Sequence, residues 1–215
     1  MKKNVLLIYG GWEGHEPRQC LDRLAPFLRE HRYDVTISDT LDVYLDKELM
    51  DSLSLIVPSW TMGEITDPQC DGLRDAVASG VGLAGWHGGL CDAFRTNTNY
   101  QFLTGGQFVA HPGNILRHRV NISAIDDPIT EGLEDFEIES EQYYMHVDPS
   151  NRVLATTTFD GTVHPWIAGT VMPVVWTRTW GQGRVFYSAL GHVAADFDGS
   201  QTRTLMERGL LWASR

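Results

Sequence analysis

Three features of the 215-residue sequence predict a doubly wound α/β fold with a mostly parallel sheet: continuous apolar runs, helical-period segments between them, and a second half of shorter, turn-linked β segments. The run at 4–9, NVLLIY, ends in Gly10-Gly11 and lacks polar alternation, as a strand covered on both faces should. It reads as the first central strand. A helix follows from about Pro17, a residue suited to a first helical turn, with Cys20, Leu21, Leu24, Phe27 and Leu28 on one face and a kink expected at Pro26. Residues 33–37 and 53–57 supply the second and third strands, the latter ending at Pro58-Ser59-Trp60. Thr66-Asp67-Pro68-Gln69 has capping-box spacing with an early proline, Cys70, Leu73 and Val77 share a face, and Gly80 closes that helix before a fourth strand at 81–86. This order implies right-handed crossovers. Residues 120–125, 136–144, 152–158 and 171–179, then 184–190 after Gly181-Gln182-Gly183, read as antiparallel additions, and 201–213 as a closing helix with Leu205, Met206, Leu210 and Trp212 available for packing. Without repeats or linkers, 1–215 is expected to be a single domain.

The composition, 42% hydrophobic and 21% charged, is that of a globular chain long enough to bury a large core. Seventeen Lys plus Arg against 28 Asp plus Glu give a net charge of -11, which repels nucleic acid and anionic bilayers, so neither is expected as a partner. Eight of the acids lie between Asp126 and Glu141 with no Lys or Arg among them, the pattern of a solvated face. Residues 1–10 run from two lysines into an apolar stretch too short to span a membrane, with no small-residue cleavage site after it. A soluble, cytoplasmic protein is expected. Cys20, Cys70 and Cys91 are odd in number and lack CxxC spacing, which fits neither a disulfide framework nor a zinc ribbon.

Open α/β sheets bind ligands beyond the carboxyl ends of their strands. That rule selects Trp12 and His15 after the first strand, Trp60 after the third, Trp86 and His87 after the fourth, and His192 after the last. Gly85-Trp86-His87-Gly88-Gly89 has the shape of a nucleophile elbow, in which small neighbours expose the central side chain of a sharp strand-to-helix turn. The central residue is an imidazole, a proton-transfer group or metal ligand more often than a nucleophile. Cys91 would serve as nucleophile only if the elbow were shifted, and a small buried helical residue is the simpler reading. His15, His87, His111 and His192 come from separate loops, so spacing alone specifies no metal; with a carboxylate such as Glu141 they make a divalent-metal donor set of the zinc type. Glu141 ends the alternating acidic face of Glu137, Glu139 and Glu141, the first two of which are expected in solvent. His31, His118 and His164 read as surface residues, and His146 as a loop residue near the pocket. Trp12, Trp60, Trp86 and Tyr143 are candidates to bind substrate, since flat aromatic faces suit the C–H side of a sugar ring. The glycines of the first loop lack a dinucleotide fingerprint and a Walker motif, so no nucleotide cofactor is inferred.

GGWEGHEP (10–17), AGWHGGLCDAFR (84–95), GGQFVAHPG (105–113), DDPITEGLEDFEIESEQYY (126–144) and PVVWTRTWGQGRVFYSALGH (173–192) together resemble the ThuA-like (trehalose utilisation) family over nearly the whole chain. The resemblance implies a flavodoxin-like fold related to the class I glutamine amidotransferases. It also implies that His15, His87, His111, Glu141 and His192 are the recurring polar positions of the crevice. His87 stands where an amidotransferase carries its thiol, so glutamine hydrolysis is not expected. Val193 follows His192 where many relatives carry Asp, which leaves that ring without an adjacent acid. The family further implies disaccharide catabolism alongside an oxidoreductase that oxidises a sugar hydroxyl to a ketone. The expected activity is acid/base chemistry on a keto-disaccharide by isomerisation, elimination or hydrolysis, with a divalent metal as candidate cofactor. The alternative is a non-catalytic sugar-binding or regulatory module. Homo-oligomerisation is expected on frequency grounds alone.

Overall fold

The computed structural model describes residues 3–215; Met1 and Lys2, which open the stretch considered above as a possible leader, lie outside it. The chain forms β1 (Lys3–Gly11), α1 (Pro17–Glu30), β2 (Tyr33–Ser38), α2 (Lys47–Ser52), β3 (Leu55–Thr61), α3 (Asp67–Ala78), β4 (Gly82–Trp86), α4 (His87–Cys91) and α5 (Thr98–Thr104). The second half adds β5 (Gly106–Ala110), β6 (Ile115–Ile122), β7 (Phe136–Glu141), β8 (Tyr144–Val147), β9 (Arg152–Thr158), β10 (Val171–Trp180), β11 (Gly183–Ser188) and α6 (Ser200–Ala213).

Nine strands make one sheet in the order β2-β1-β3-β4-β11-β10-β9-β6-β7, and β5 pairs with β8 in a separate ribbon. From β2 to β11 every neighbouring pair is parallel; from β11 to β7 every pair is antiparallel. The fold is therefore mixed α/β, and the expectation that 184–190 is a purely antiparallel addition is corrected: β11 joins the two halves, parallel to β4 on one side and antiparallel to β10 on the other. Val5, Leu6, Leu7 and Ile8 of β1 have no accessible surface, so both faces of this strand are covered. Each such side chain contributes about 1.5–3 kcal/mol of burial. Among the described residues no helix is long and apolar enough to cross a membrane.

Several expected elements shift. β3 does not end at Pro58 but continues through Trp60 to Thr61, because its pairing with β4 covers only Leu55 and Ile56 while its pairing with β1 runs on to Thr61. Pro58 thus sits where one edge of the strand has opened. α1 passes through Pro26 as one helix; Pro26 and Asp22, whose carbonyl loses its helical donor, both lie on the exposed face. The capping box of α3 forms as read, with Thr66 accepting from Gln69 N–H and Gln69 accepting from Thr66 N–H. The segment 136–144 is two strands, β7 and β8, separated at Gln142-Tyr143, and this break turns the chain from the sheet into the ribbon. α2, α5 and β5 have no counterpart in the sequence reading.

Candidate active site

The parallel strands end at a crevice into which five elements deliver side chains. At the end of β1, Gly11 adopts a φ of 76° and Trp12 N–H donates to Thr61 O at 3.0 Å, which clips the loop to the extended β3. A methyl at Gly11 would meet Thr61 O at 2.0 Å, so glycine is required there. One 3-10 turn, Glu13–His15, then buries His15 before α1 begins. At the end of β4 the elbow forms as expected: His87 has a φ of 45°, a left-handed conformation that costs about 1–2 kcal/mol for a non-glycine residue. A Cβ at Gly88 would lie 2.5 Å from the His15 ring, so the glycine after the elbow is what lets His15 and His87 approach to 4.8 Å between centroids.

Glu141, at the end of β7, is the hub. Its Oε2 lies 3.1 Å from His87 Nε2, 3.3 Å from His192 Nδ1 and 3.9 Å from His15 Nε2, and its Oε1 lies 3.7 Å from His111 Nε2. His192 Nδ1 is also 3.3 Å from His87 Nε2. The structure thus brings together all five residues selected from the sequence. The outer nitrogens of two rings are fixed: His87 Nδ1 donates to Ala189 O at 2.7 Å, and His15 Nδ1 meets Thr61 Oγ1 at 2.9 Å. His192 is the ring expected to lack an acid. None is adjacent in the sequence, but the fold brings two: Glu141 supplies a carboxylate to its side chain from another strand, and Asp196 Oδ2 accepts from its backbone N–H at 2.9 Å.

Burial and mutual repulsion set the protonation states. Burial first, then the nearby His87 and His192, pulls His15 down to about 3. Burial also lowers His87, outweighing its bonds to Glu141 and Ala189 O. The hydrogen bond to Glu141 raises His192. Burial alone would raise Glu141, but the bonds from His192 and His87 overcome it and hold the carboxyl well below the usual range. Burial thus moves His15 and His87 one way while the shared carboxylate moves His192 the other, the kind of divergence that separates base from acid in catalytic sites.

The aromatic candidates divide. Trp12 is 48% exposed and stands edge-on to His15 at 4.7 Å, at the mouth of the cluster. Trp60 is half-buried, its ring lying over Gly10, where a Cβ would come within 2.5 Å. Tyr143 is buried and stacks on His87 at 3.9 Å, so its ring positions His87 and leaves little face for a ligand. The Trp86 expectation is corrected: this ring is 1% exposed and packs edge-on against Phe197 at 5.4 Å, pointing into the core. Sequence reading missed Phe108, which links the outer and inner rings of the site by stacking on His111 at 5.6 Å and lying 4.6 Å from Tyr143. It also missed Thr61 and Ala189 O. Thr61 is the last residue of β3, beyond the Pro58 at which the sequence closes that strand.

Of the remaining histidines, His31 is exposed with Nδ1 on Phe27 O, His164 stacks on Trp166 at 4.7 Å, and His146 is exposed on the β5–β8 ribbon. His118 is not a surface residue: it is 8% exposed, with Nδ1 3.3 Å from Leu116 O. Glu137 and Glu139 are in solvent as expected.

All three cysteines are free and buried. Burial pushes Cys20 up to about 12 and Cys70 up to about 11, and raises Cys91 further still. Native protein treated with iodoacetamide is therefore expected to remain unalkylated at all three positions, since the thiolate is the reacting species. Intact-mass measurement checks this, and rapid alkylation of Cys91 would contradict it.

No curated protein matches this chain. Solved structures do. A ThuA-like protein from Parabacteroides merdae superposes with a TM-score of 0.81 at 19% identity, covering 99% of this chain and 90% of that one. A cytoplasmic protein from Salmonella typhimurium LT2 gives 0.69 at 16% identity, covering 99% and 100%. A β-galactosidase from Bacillus circulans gives 0.63 at 14% identity over 98% of this chain but only 30% of that one. At these identities the likeness is one of fold. The family pattern described as ThuA, trehalose utilisation, matches residues 4–213, and on that near-complete match the chain belongs to the ThuA family.

Proposed function

We propose that this protein is an enzyme of carbohydrate catabolism that acts on a keto-sugar, a keto-disaccharide in the first instance, by proton transfer beside the carbonyl. The observation that carries the reading is the convergence of four imidazoles on the buried Glu141 at the mouth of the sheet. Such a cluster has no packing purpose: buried ionisable groups are costly and are kept where chemistry uses them.

A ketone acidifies the C–H next to it. A neutral imidazole of the cluster takes that proton, with His87 as the central acid/base or, where the cluster holds a metal ion, as one of its ligands, and His15, His111, His192 and Glu141 assisting. The developing enediolate oxygen is stabilised by a proton-bearing donor, the role for which Glu141 prepares His192. Return of the proton to the neighbouring carbon gives isomerisation; loss of the glycosidic oxygen gives elimination. Trp12 and Trp60 offer apolar edges to the sugar ring. The family's description, trehalose utilisation, puts sugars first among substrate classes. Such a substrate requires a partner oxidoreductase that converts a sugar hydroxyl to the ketone. Glutamine hydrolysis through a cysteinyl thioester does not suit the site, since an imidazole occupies the elbow and Cys91 is buried in α4.

The test is incubation of purified protein with a 3-keto-glycoside, followed by chromatography. Conversion is expected. Tight calorimetric binding of an unmodified disaccharide, with no change in any keto form, would overturn the enzymatic reading in favour of a sugar-binding module.

A further inference from the structure

In the neutral form of His87, the inner face of the cluster has more acceptors than donors. Ala189 O can only accept, so His87 Nδ1 carries a hydrogen, and Nε2 of the neutral ring is then a lone pair. That lone pair faces another acceptor, Glu141 Oε2, at 3.1 Å in a site where His87 is 1% exposed. His192 Nδ1 can offer at most one hydrogen to this pair of acceptors, from 3.3 Å to each. His15 has the same arrangement of contacts, its Nδ1 engaged by Thr61 Oγ1, a hydroxyl that can donate or accept, and its Nε2 turned toward the same carboxylate oxygen.

Three donor atoms at separations of 3.1, 3.3 and 3.3 Å form a nearly equilateral triangle. A tetrahedral ion with ligands at about 2.0–2.2 Å sets neighbouring donors about 3.4 Å apart. His15 Nε2, 3.9 Å from Glu141 Oε2, supplies a fourth corner, and the four donors all lie within 4.8 Å of one another. The outer-shell bonds of His87 and His15 are those that orient ligating imidazoles, a second nitrogen held by a carbonyl or hydroxyl. We propose that His15, His87, His192 and Glu141 bind one first-row divalent transition-metal ion.

Three imidazoles and one carboxylate suit zinc, manganese, iron or cobalt, and suit magnesium or calcium poorly because those prefer all-oxygen shells. His111 stands apart from this set: its Nε2 is 3.7 Å from the other carboxylate oxygen, its side chain is 35% exposed, and its buried Nδ1 has no partner. It is the ring free to exchange a proton with substrate while the four donors hold the ion. A bound ion would polarise the sugar carbonyl as a Lewis acid. That role rests on the keto-sugar reading; the binding of the ion does not.

The test uses the purified full-length protein, elemental analysis as isolated, and titration of chelator-treated, dialysed protein with Co²⁺ followed by visible absorption. The expected result is one ion per chain, with an absorption band of low-symmetry cobalt and a rise in melting temperature on loading. Glu141→Gln and His192→Ala should lose the band and the thermal shift, while His111→Ala and the remote His31→Ala keep both. Unchanged near-ultraviolet circular dichroism identifies variants that remain folded. Absence of a band and of retained metal in wild type, or loss of the band in His111→Ala with the fold intact, overturns the four-donor assignment. Undiminished sugar turnover by metal-free protein refutes the role of the ion and leaves the enzymatic reading standing. Metal binding without turnover of any keto-sugar does the reverse.

Discussion

His87→Ala is expected to lower turnover of a 3-keto-glycoside by about 10²–10⁴-fold, the range lost when a positioned imidazole is removed from a proton-transfer site. The ring touches Glu141, His192, Tyr143 and Ala189 O, so its loss also breaks the geometry of its neighbours. Part of the effect would be on stability, since Ala189 O is left without its buried donor at a cost of about 1–3 kcal/mol. His87→Gly separates the two. It removes the ring equally but relaxes the positive φ of 45°, recovering about 1 kcal/mol relative to alanine. Steady-state kinetics with urea denaturation checks both: the glycine variant should unfold at higher urea than the alanine variant and be as inactive. Recovery of activity in parallel with stability would mean that His87 serves the fold alone.

Glu141→Gln is expected to reduce turnover by about 10²–10³-fold with little change of shape, since the amide is isosteric with the carboxyl. The carboxylate is the one anion shared by four rings, and its hydrogen bond is the largest influence raising His192. A glutamine offers one carbonyl oxygen and an NH₂ group, and the NH₂ group can repeat neither the charge nor the acceptor role. Conservation of the fold is checked by the urea midpoint and loss of activity by initial rates. Activity of the Glu141→Gln variant within a few-fold of wild type would show that the rings work without the hub.

The parallel half of the fold was legible because its strands are covered on both faces and stand out as unbroken apolar runs, with β1 the clearest. The antiparallel half was legible in part. Phe136–Glu141 alternates and was found, but its separation from β8 at Gln142-Tyr143 depends on which sheet each half pairs with, and that is a long-range choice. Short elements such as α5 carry one turn of pattern and a cap, Asn97, that reads equally well as a loop.

For the site, the strand-end rule found where the backbone goes and left side-chain direction open. It succeeded for His15, His87 and His192. It failed for Trp86, whose ring turns back against Phe197 and over Gly191, where a φ of 105° and a close approach make room for it. Glu141 was separated from Glu137 and Glu139 only by lying at the end of the strand, yet that position decides everything: one pair of residues further back, the same acid would stand in solvent. Ala189 O and Thr61, which set the orientation of two rings, were invisible for different reasons. One is a backbone atom that every residue possesses. The other lay beyond a proline that reads as the end of its strand.

The most direct measurement of the central claim, that these imidazoles act together on the proton beside a sugar carbonyl, is exchange in heavy water. A 3-keto-glycoside is incubated in D₂O with the protein, and proton resonances of the carbons flanking the ketone are followed by nuclear magnetic resonance. Abstraction removes that proton signal in either case: reprotonation from solvent, including isomerisation, brings in deuterium, and elimination leaves the carbon without a hydrogen. The account predicts rapid loss of one flanking signal with wild type and, with His87→Ala, a rate no faster than in buffer. Equal exchange by the two proteins, or none by either on a keto-sugar that calorimetry shows to be bound, would contradict it.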